Sequence, residues 1–133
     1  MALHKHSKEL QLKTEADFLR SLTEHKEGAD ILFVKNRSRL VHVRHEDLLF
    51  VEALKDYVVD HTRKESYTIH RTMKEIERKL SDRRFMRVHR SYIVNLNSIE
   101  SIKYSNITME GLEKEIPVGG SYKDSLANRI NLL

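Results

Sequence analysis

The sequence predicts a mainly β domain of about ten short, mostly antiparallel strands with one or two flanking helices, preceded by an N-terminal helical leader. Two observations predict this class. Short β-branched runs recur after residue 30, and polar residues typical of turns separate them. Because 133 residues suffice for one domain with a core but not comfortably for two, we expect one domain at 31–133 behind a leader or linker at 1–30.

The leader is expected to contain a helix over residues 8–27. Thr14 and Asp17 have the spacing of a capping box, in which each side chain accepts a hydrogen bond from the other's backbone amide. Apolar residues follow at helical spacing: Leu12, Ala16 and Leu19. Gly28 and the change of composition after it predict the boundary with the domain.

The strand predictions rest on runs of β-branched and aromatic residues. The predicted strands are 31–34, 40–43, 48–51, 57–60, 67–69, 92–94, 101–104, 107–109 and 115–118. Residues 36–38 and 64–66 are predicted turns. Connections this short favour antiparallel pairing.

Two helices are expected within the domain. Thr72 and Glu75 predict a capping box, and the helix that follows has an apolar stripe formed by Met73, Ile76 and Leu80, with its basic residues facing outward. A second capping box is predicted at Ser121 and Asp124. The closing helix after it is expected to bury Leu126, Ile130 and Leu133.

The composition excludes several classes of protein. The chain has no Cys, so disulfides, thiol nucleophiles and Cys-based zinc sites are impossible. No apolar run approaches the roughly 20 residues that a membrane-spanning helix needs. Since the N-terminus also does not resemble a signal peptide, we expect a soluble, cytoplasmic protein without a membrane partner.

Positive charge is concentrated in one segment. The formal net charge is only +4, but residues 71–90 contain eight basic side chains against three acidic ones. Such an excess suits a nucleic-acid partner, because each Lys or Arg that meets a phosphate releases condensed counterions. A solvated helix face rich in Lys and Arg explains the charge equally well.

Enzymatic and metal-dependent functions have little support. The sequence has no Gly-rich phosphate loop and no nucleophile elbow, so we expect neither an enzyme nor a cofactor. The pairs His4/His6 and His42/His45 have spacings that sometimes bind zinc, but no third ligand lies at a matching interval. A metal-dependent hydrolase is therefore a distant alternative. RNA binding is also less favoured, because paired exposed aromatic residues are absent.

Residues 85–95 form the most distinctive segment, because an apolar strand follows directly on a dense polar cluster. The segment reads Phe-Met-Arg-Val-His-Arg-Ser-Tyr-Ile-Val-Asn. Its polar residues are of types that hydrogen-bond to phosphates or base edges: Arg87, His89, Arg90 and Ser91. The pattern Phe-x-Arg-x-His-Arg-Ser-Tyr-Ile-Val-Asn resembles the central motif of LytTR DNA-binding domains, the output domains of LytR/AgrA-like response regulators.

The resemblance covers roughly residues 31–133. Residues 47–57 resemble the family's Asp-Ile-x-x-Ile-Glu-Ala-x-x-Asn/Asp-Tyr stretch, residues 73–80 its helix, and residues 116–123 its closing strand and turn. Several motifs in the same order and at the same spacing make the resemblance specific.

The resemblance implies an elongated β fold that inserts loops, rather than a recognition helix, into the major groove of double-stranded DNA. Such domains serve as output modules of two-component transcriptional regulators in bacteria, usually behind a receiver domain, and bind direct repeats as dimers. The implied partners are therefore double-stranded DNA, a second copy of the chain on that DNA and, in a longer protein, a receiver domain or sensor kinase upstream. No cofactor is implied.

Three segments are implied to face the DNA. Their residues are Lys55, Asp56 and Tyr57 in the first, Arg87, His89, Arg90 and Ser91 in the second, and Gly119, Gly120, Ser121 and Lys123 in the third. The Arg90 fork suits guanine O6 and N7, whereas Lys55 and Lys123 suit phosphates. Family members often have Arg or another polar residue where this chain has Gly120, so this chain has no side chain at that position with which to contact a base.

Several of these residues have a structural alternative. His89 is favoured as a hydrogen-bond donor that locks its loop, and Arg87 is as readily explained by an ion pair with a core carboxylate. Tyr57 is more simply a strand residue. Tyr92 and Asn95 are expected to be framework, with the Tyr92 ring in the core and Asn95 capping the turn before residue 99.

The main rival to DNA binding is a protein-interaction or dimerisation module. In that hypothesis the same β scaffold uses the amphipathic leader helix at 8–27 to dock a partner or a second copy. The basic residues of 71–90 argue against it, because such a docking surface has no evident need of them.

Overall fold

The structure is a computed structural model that describes residues 14–24 and 31–133. Its first helix, α1, spans Glu15–Thr23. The predicted capping box is confirmed, because the Thr14 hydroxyl accepts from the Asp17 amide and the Asp17 carboxylate accepts from the Thr14 amide. The rest of the predicted leader helix, at 8–13 and 25–27, lies outside the described residues.

Ten strands in antiparallel sheets make the domain mainly β, as the sequence predicts. They are β1 (Leu32–Asn36), β2 (Arg39–Val43), β3 (Leu48–Ala53), β4 (Val58–Thr62), β5 (Ser66–Ile69), β6 (Phe85–His89), β7 (Tyr92–Asn95), β8 (Ile99–Lys103), β9 (Asn106–Met109) and β10 (Glu115–Pro117). The predicted turn at 36–38 is confirmed, with Arg37 at φ 60°. The sequence did not predict β6 as a separate strand.

The strands form three sheets. The central sheet has the order β5-β4-β3-β7-β6, flanked by the β1–β2 hairpin and by a sheet of order β10-β9-β8. Every pairing is antiparallel. Because β3 and β7 are antiparallel neighbours, the end of β3 lies opposite the start of β7. The connections after β3 and before β7 therefore lie at the same end of the central sheet.

Both faces of the central sheet are buried, which explains why β3 has no polar alternation over residues 48–51. One face, with Val51 and Ile93, packs against the β1–β2 hairpin and the second helix. The opposite face, with Phe50 and Val94, packs against β9 and β10. Burying each large side chain of this kind stabilises the fold by about 1.5–3 kcal/mol, so the two clusters bind the three sheets together.

The second helix, α2 (Met73–Lys79), has the predicted structure. Thr72 and Glu75 form the capping box, and Met73 and Ile76 are buried while Leu80 packs against the same cluster. The charged residues of the helix therefore face away from the core.

The prediction for the third helix, α3 (Lys123–Ala127), is wrong at both ends. Ser121 lies within a turn of 3-10 helix, Gly120–Tyr122, and so cannot cap a helix from an extended conformation. Leu126 is buried, but Ile130 and Leu133 are exposed. The reason is that α3 ends at Ala127, so that only one of its turns reaches the core.

Candidate nucleic-acid interface

Three connecting segments lie side by side at one end of the central sheet. We call them the β3–β4 loop (residues 54–57), the β6–β7 loop (residues 89–91) and the β10 turn (residues 118–123). The amide of Ala53 donates to the carbonyl of Ser91 at 2.8 Å, and the amide of Gly119 donates to the carbonyl of Val88 at 2.8 Å. These two hydrogen bonds bring together the three segments that the family resemblance implies to face DNA.

The β3–β4 loop presents polar side chains to solvent. Lys55 and Asp56 are exposed, and Tyr57 is 37% exposed. Tyr57 lies just outside β4, which begins one residue later than predicted. The amide of Leu54 donates to the carbonyl of Tyr57 at 2.8 Å and closes the loop. The chain thus reverses direction within four residues and leaves the side chains between them free to meet a ligand.

An irregularity in β6 shapes the β6–β7 loop. The pairing of β6 with β7 shifts register between Arg87 and His89, so that Val88 lies at a bulge. The side chain of Val88 is fully buried, while its carbonyl accepts from Gly119. Bulges of this kind redirect the chain next to functional sites, and here the bulge joins the β6–β7 loop to the β10 turn.

The side chain of Arg87 stabilises the backbone of the β6–β7 loop. Its guanidinium donates to the Arg90 carbonyl at 2.6 Å and to the His89 carbonyl at 3.4 Å, and it pairs with Glu77 of α2 at 3.3 Å. An ion pair was one of its predicted alternatives, although the partner lies on α2 rather than in the core. Because charged donors make strong hydrogen bonds, these contacts fix the loop backbone beneath Arg90.

His89 also stabilises the β6–β7 loop. Its Nδ1 accepts from the amide of Ser91 at 3.0 Å, and its ring lies 5.6 Å from the ring of Tyr92. In the neutral ring the proton is then on Nε2. The hydrogen bond within the loop that favours a structural role is present, but the ring accepts it rather than donating it as predicted. Arg90 itself is exposed and has no hydrogen bond or ion pair from its side chain within residues 14–24 and 31–133.

The two glycines of the β10 turn differ in their surroundings. A Cβ at Gly119 would lie 3.1 Å from Cδ2 of Tyr122 and 3.7 Å from Cδ2 of His89, whereas a Cβ at Gly120 would meet nothing within 4 Å. Gly120, Ser121 and Lys123 are exposed. Gly119 therefore allows the turn to pack closely on the β6–β7 loop, and Gly120 leaves an open surface.

This contrast predicts opposite tolerances at adjacent positions. Gly119→Ala should lower the free energy of unfolding by about 1 kcal/mol, because the Tyr122 ring has to move, and should weaken ligand binding by displacing the turn. Gly120→Ala is the matched control and should leave stability unchanged. Urea unfolding of both variants measures the difference. Equal stabilities would show that the close approach at Gly119 is not required.

A hydrogen-bonded cluster behind the loops was not predicted from the sequence. The carboxylate of Glu52 accepts from Lys114 at 2.8 Å and from the Tyr92 hydroxyl at 3.1 Å, and lies 3.0 Å from Nε2 of His61. Burial raises the pKa of Glu52, but the hydrogen bonds from Lys114 and His61 outweigh it and lower the pKa overall. Lys114 thus neutralises a carboxylate close to the candidate interface.

The two predicted framework residues have that role. The Tyr92 ring packs on the cluster formed with β9 and β10. The Asn95 side chain accepts from the Asn97 amide, as expected for a cap, and also donates to the carbonyls of His45 and Leu48. The Asn95 side chain therefore connects the end of β7 to the start of β3, which is far from it in sequence.

The basic residues of 71–90 divide into paired and exposed groups. Arg71 pairs with Glu75, and Arg87 pairs with Glu77. Five further basic residues are exposed and have no side-chain ion pair with the part of the chain described: Lys74, Arg78, Arg83, Arg84 and Arg90. The local excess of positive charge is therefore presented to solvent.

Neither a metal site nor a membrane helix is found in the described ranges. Within residues 14–24 and 31–133, no group of three or more His, Cys, Asp or Glu side chains is arranged to hold a metal ion. His42 stacks on Phe33 at 5.3 Å, and His4 and His6 lie outside the described residues. In the same ranges no helix has the length and apolar character needed to cross a membrane.

Comparison with known proteins identifies the family. The model of the LytTr DNA-binding domain family matches residues 29–131. The chain is 32% identical over 117 residues to the sensory transduction protein LytT of Bacillus anthracis, covering 79% of this chain and 47% of that protein. It is 33% identical over 101 residues to the transcriptional regulatory protein YpdB of Escherichia coli K12, covering 72% of this chain and 41% of that protein. The chain spans less than half the length of these two relatives.

A solved structure agrees with the fold. The LytTr DNA-binding domain of a methyl-accepting/DNA response regulator from Bacillus cereus superposes with a TM-score of 0.66 at 24% identity, covering 77% of this chain and 97% of that chain. The matching family is one of DNA-binding domains and not of enzymes. With a family match over most of its length, relatives above 30% identity and this fold, the chain belongs to the LytTr DNA-binding domain family.

Proposed function

We propose that the chain binds a specific double-stranded DNA sequence through the β3–β4 loop, the β6–β7 loop and the β10 turn. One observation carries the proposal: these three segments are joined to one another by backbone hydrogen bonds from Ala53 and Gly119 and expose their polar side chains together. Preorganised loops bind with less loss of conformational entropy than mobile ones. The membership of the chain in a DNA-binding family supports the same function.

The exposed residues divide by chemistry into base readers and phosphate contacts. The guanidinium of Arg90 can donate two hydrogen bonds to O6 and N7 of one guanine in the major groove. Lys55 and Lys123 present single ammonium groups, which suit phosphates. Gly120 has no side chain with which to read a base, but its open surroundings let the backbone approach a phosphate closely.

The wider role that we propose is that of an output module of a bacterial two-component transcriptional regulator acting in the cytoplasm. The relatives are a sensory transduction protein and a transcriptional regulatory protein, each more than twice as long as the part that matches. A receiver domain upstream and binding of two copies to direct repeats are parts of this proposal.

The test is selection of bound sequences from a random pool of double-stranded DNA, followed by titration of the enriched site. We expect a motif that recurs as two direct repeats about one helical turn apart, bound with an affinity that falls as salt rises. Weak binding to all DNA with no enriched motif would contradict sequence-specific recognition.

Lys123→Ala should weaken binding to every sequence alike. Loss of one phosphate contact should reduce the slope of log affinity against log salt by about one and leave the preferred sequence unchanged. Titration of enriched and random duplexes at several salt concentrations measures both quantities. A loss confined to the enriched site would instead identify Lys123 as a base reader.

A protein-interaction module is the second candidate, favoured by one feature of α1. Phe18 and Leu22, one helical turn apart, are 47% and 42% exposed. An apolar pair at this spacing suits docking against another helix. If the selection returns no motif and the chain nevertheless self-associates in sedimentation equilibrium, this second function replaces the first.

A further inference from the structure

The turn between β8 and β9 carries an unexplained combination of strain and exposure. Tyr104 and Ser105 form a two-residue turn in which both residues have positive φ, 49° and 64°. Such turns strongly prefer Asn and Gly, because a Cβ is unfavourable in the left-handed region. Tyr104 is nevertheless 87% exposed, so its ring is not kept there by packing.

The same turn is connected to the candidate interface. The amide of Val118, at the start of the β10 turn, donates to the carbonyl of Ser105 at 2.9 Å. Ser105 and Lys123 also line one open cavity. The β8–β9 turn therefore lies next to the β10 turn. Four segments, the β3–β4 loop, the β6–β7 loop, the β10 turn and the β8–β9 turn, thus lie in a row and are linked by backbone hydrogen bonds.

The chemistry at this turn suits a phosphate. Lys103 is exposed, and its Nζ lies 5.2 Å from the centre of the Tyr104 ring, so that an ammonium group and a phenol hydroxyl are presented together. Lys103 has no ion pair with a carboxylate in the part of the chain that the structure describes. A strained, exposed aromatic residue beside a cation that has no ion pair, next to the candidate interface, suits a contact that compensates the strain.

We propose that Lys103 and Tyr104 form a fourth DNA contact, in which both donate to phosphates of the duplex beyond the groove that meets the β10 turn. This inference rests on the proposed DNA-binding function and extends its footprint. The contact is independent of base sequence, because every nucleotide presents the same phosphate oxygens. It increases affinity and fixes the position of the domain on the duplex without specifying a base.

The test compares Lys103→Ala with Lys64→Ala as the matched control. Lys64 is exposed in the β4–β5 turn, at the opposite end of β4 from the interface. Fluorescence anisotropy would measure binding of the full chain to the enriched and random duplexes at about 50 and 200 mM salt. Lys103→Ala should lower affinity for both duplexes by about three- to tenfold and reduce the salt slope by about one, while Lys64→Ala should change neither.

Tyr104→Asn separates binding from folding. Asn tolerates the left-handed region, so this variant should raise the melting temperature while lowering DNA affinity by about threefold. A merely structural Tyr104 would not produce these opposite changes. A higher melting temperature with unchanged affinity overturns the role of Tyr104.

Arg90→Ala distinguishes failure of this inference from failure of the proposed function. If Arg90→Ala weakens binding to the enriched site while Lys103→Ala binds like the original chain, the fourth contact is wrong and the three-segment interface stands. If the original chain itself enriches no sequence and binds without salt dependence, the proposed function fails and the fourth contact fails with it.

Discussion

Asp60→Asn should stabilise the protein at pH 8 and have little effect at pH 4. Asp60 is 5% exposed in β4, an interior strand of the central sheet, between Val51 of β3 and Tyr67 of β5. Its Oδ1 has no hydrogen-bond partner among the described residues. Burial raises the pKa of Asp60 from its ordinary value of 3.8 to about 7, because the charged form loses its hydration without gaining a partner.

The sign of the effect follows from proton binding. Between pH 3.8 and about 7 the folded chain keeps a proton on Asp60 that the unfolded chain has lost. The free energy of unfolding therefore falls as pH rises through this range, by on the order of 4 kcal/mol for a pKa difference of this size. Above this range it no longer changes with the ionisation of Asp60. Asn cannot ionise, so the variant lacks this loss.

Urea unfolding at about pH 4, 6 and 8 measures the free energy of unfolding of both chains. The difference between Asp60→Asn and the original chain should grow with pH and then remain constant. Asp82→Asn is the matched control, since Asp82 is exposed in the connection between α2 and β6 and should show no such trend. A pH-independent difference for Asp60→Asn would mean that Asp60 is ionised in the fold and has a partner.

The elements predicted correctly are those set by local interactions. The Thr72–Glu75 capping box is formed by residues three apart, so its sequence pattern contains nearly all the information that the helix start needs. The same pattern failed at Ser121, because Ser121 lies inside the 3-10 turn Gly120–Tyr122 and not in the extended conformation of an N-cap residue. A capping pattern alone does not report the backbone conformation in front of it.

Long-range contacts account for what the sequence did not reveal. Glu52 and Lys114 are 62 positions apart, and no local pattern indicates that they meet. The Tyr104–Ser105 turn contains neither Gly nor Asn, so the predicted strand at 101–104 ends one residue later than β8, which ends at Lys103. The segments of the candidate interface were found through family resemblance, but their adjacency depends on sheet order and on the bulge at Val88.

Arg90→Ala should have the largest effect on DNA recognition. Arg90 projects from a loop whose carbonyls are held by Arg87, so its guanidinium starts from a fixed backbone. Loss of a bidentate contact with guanine should cost about 1–3 kcal/mol on the enriched site and relax the preference at one base pair. Affinity for random DNA should change much less, because non-specific binding depends on phosphates.

Arg90→Lys is the sharper comparison, because it keeps the charge and removes the planar fork. If Arg90 reads a base, Arg90→Lys should lose most of the discrimination at that position while keeping the salt slope of the original chain. If Arg90 contacts only phosphates, Arg90→Lys should bind DNA like the original chain, and Arg90→Ala should weaken binding to the enriched and random duplexes equally. Arg78→Ala, an exposed arginine on α2, controls for the general loss of positive charge. Titration of the four chains on duplexes that differ at single positions therefore decides whether this loop specifies sequence or only supplies affinity.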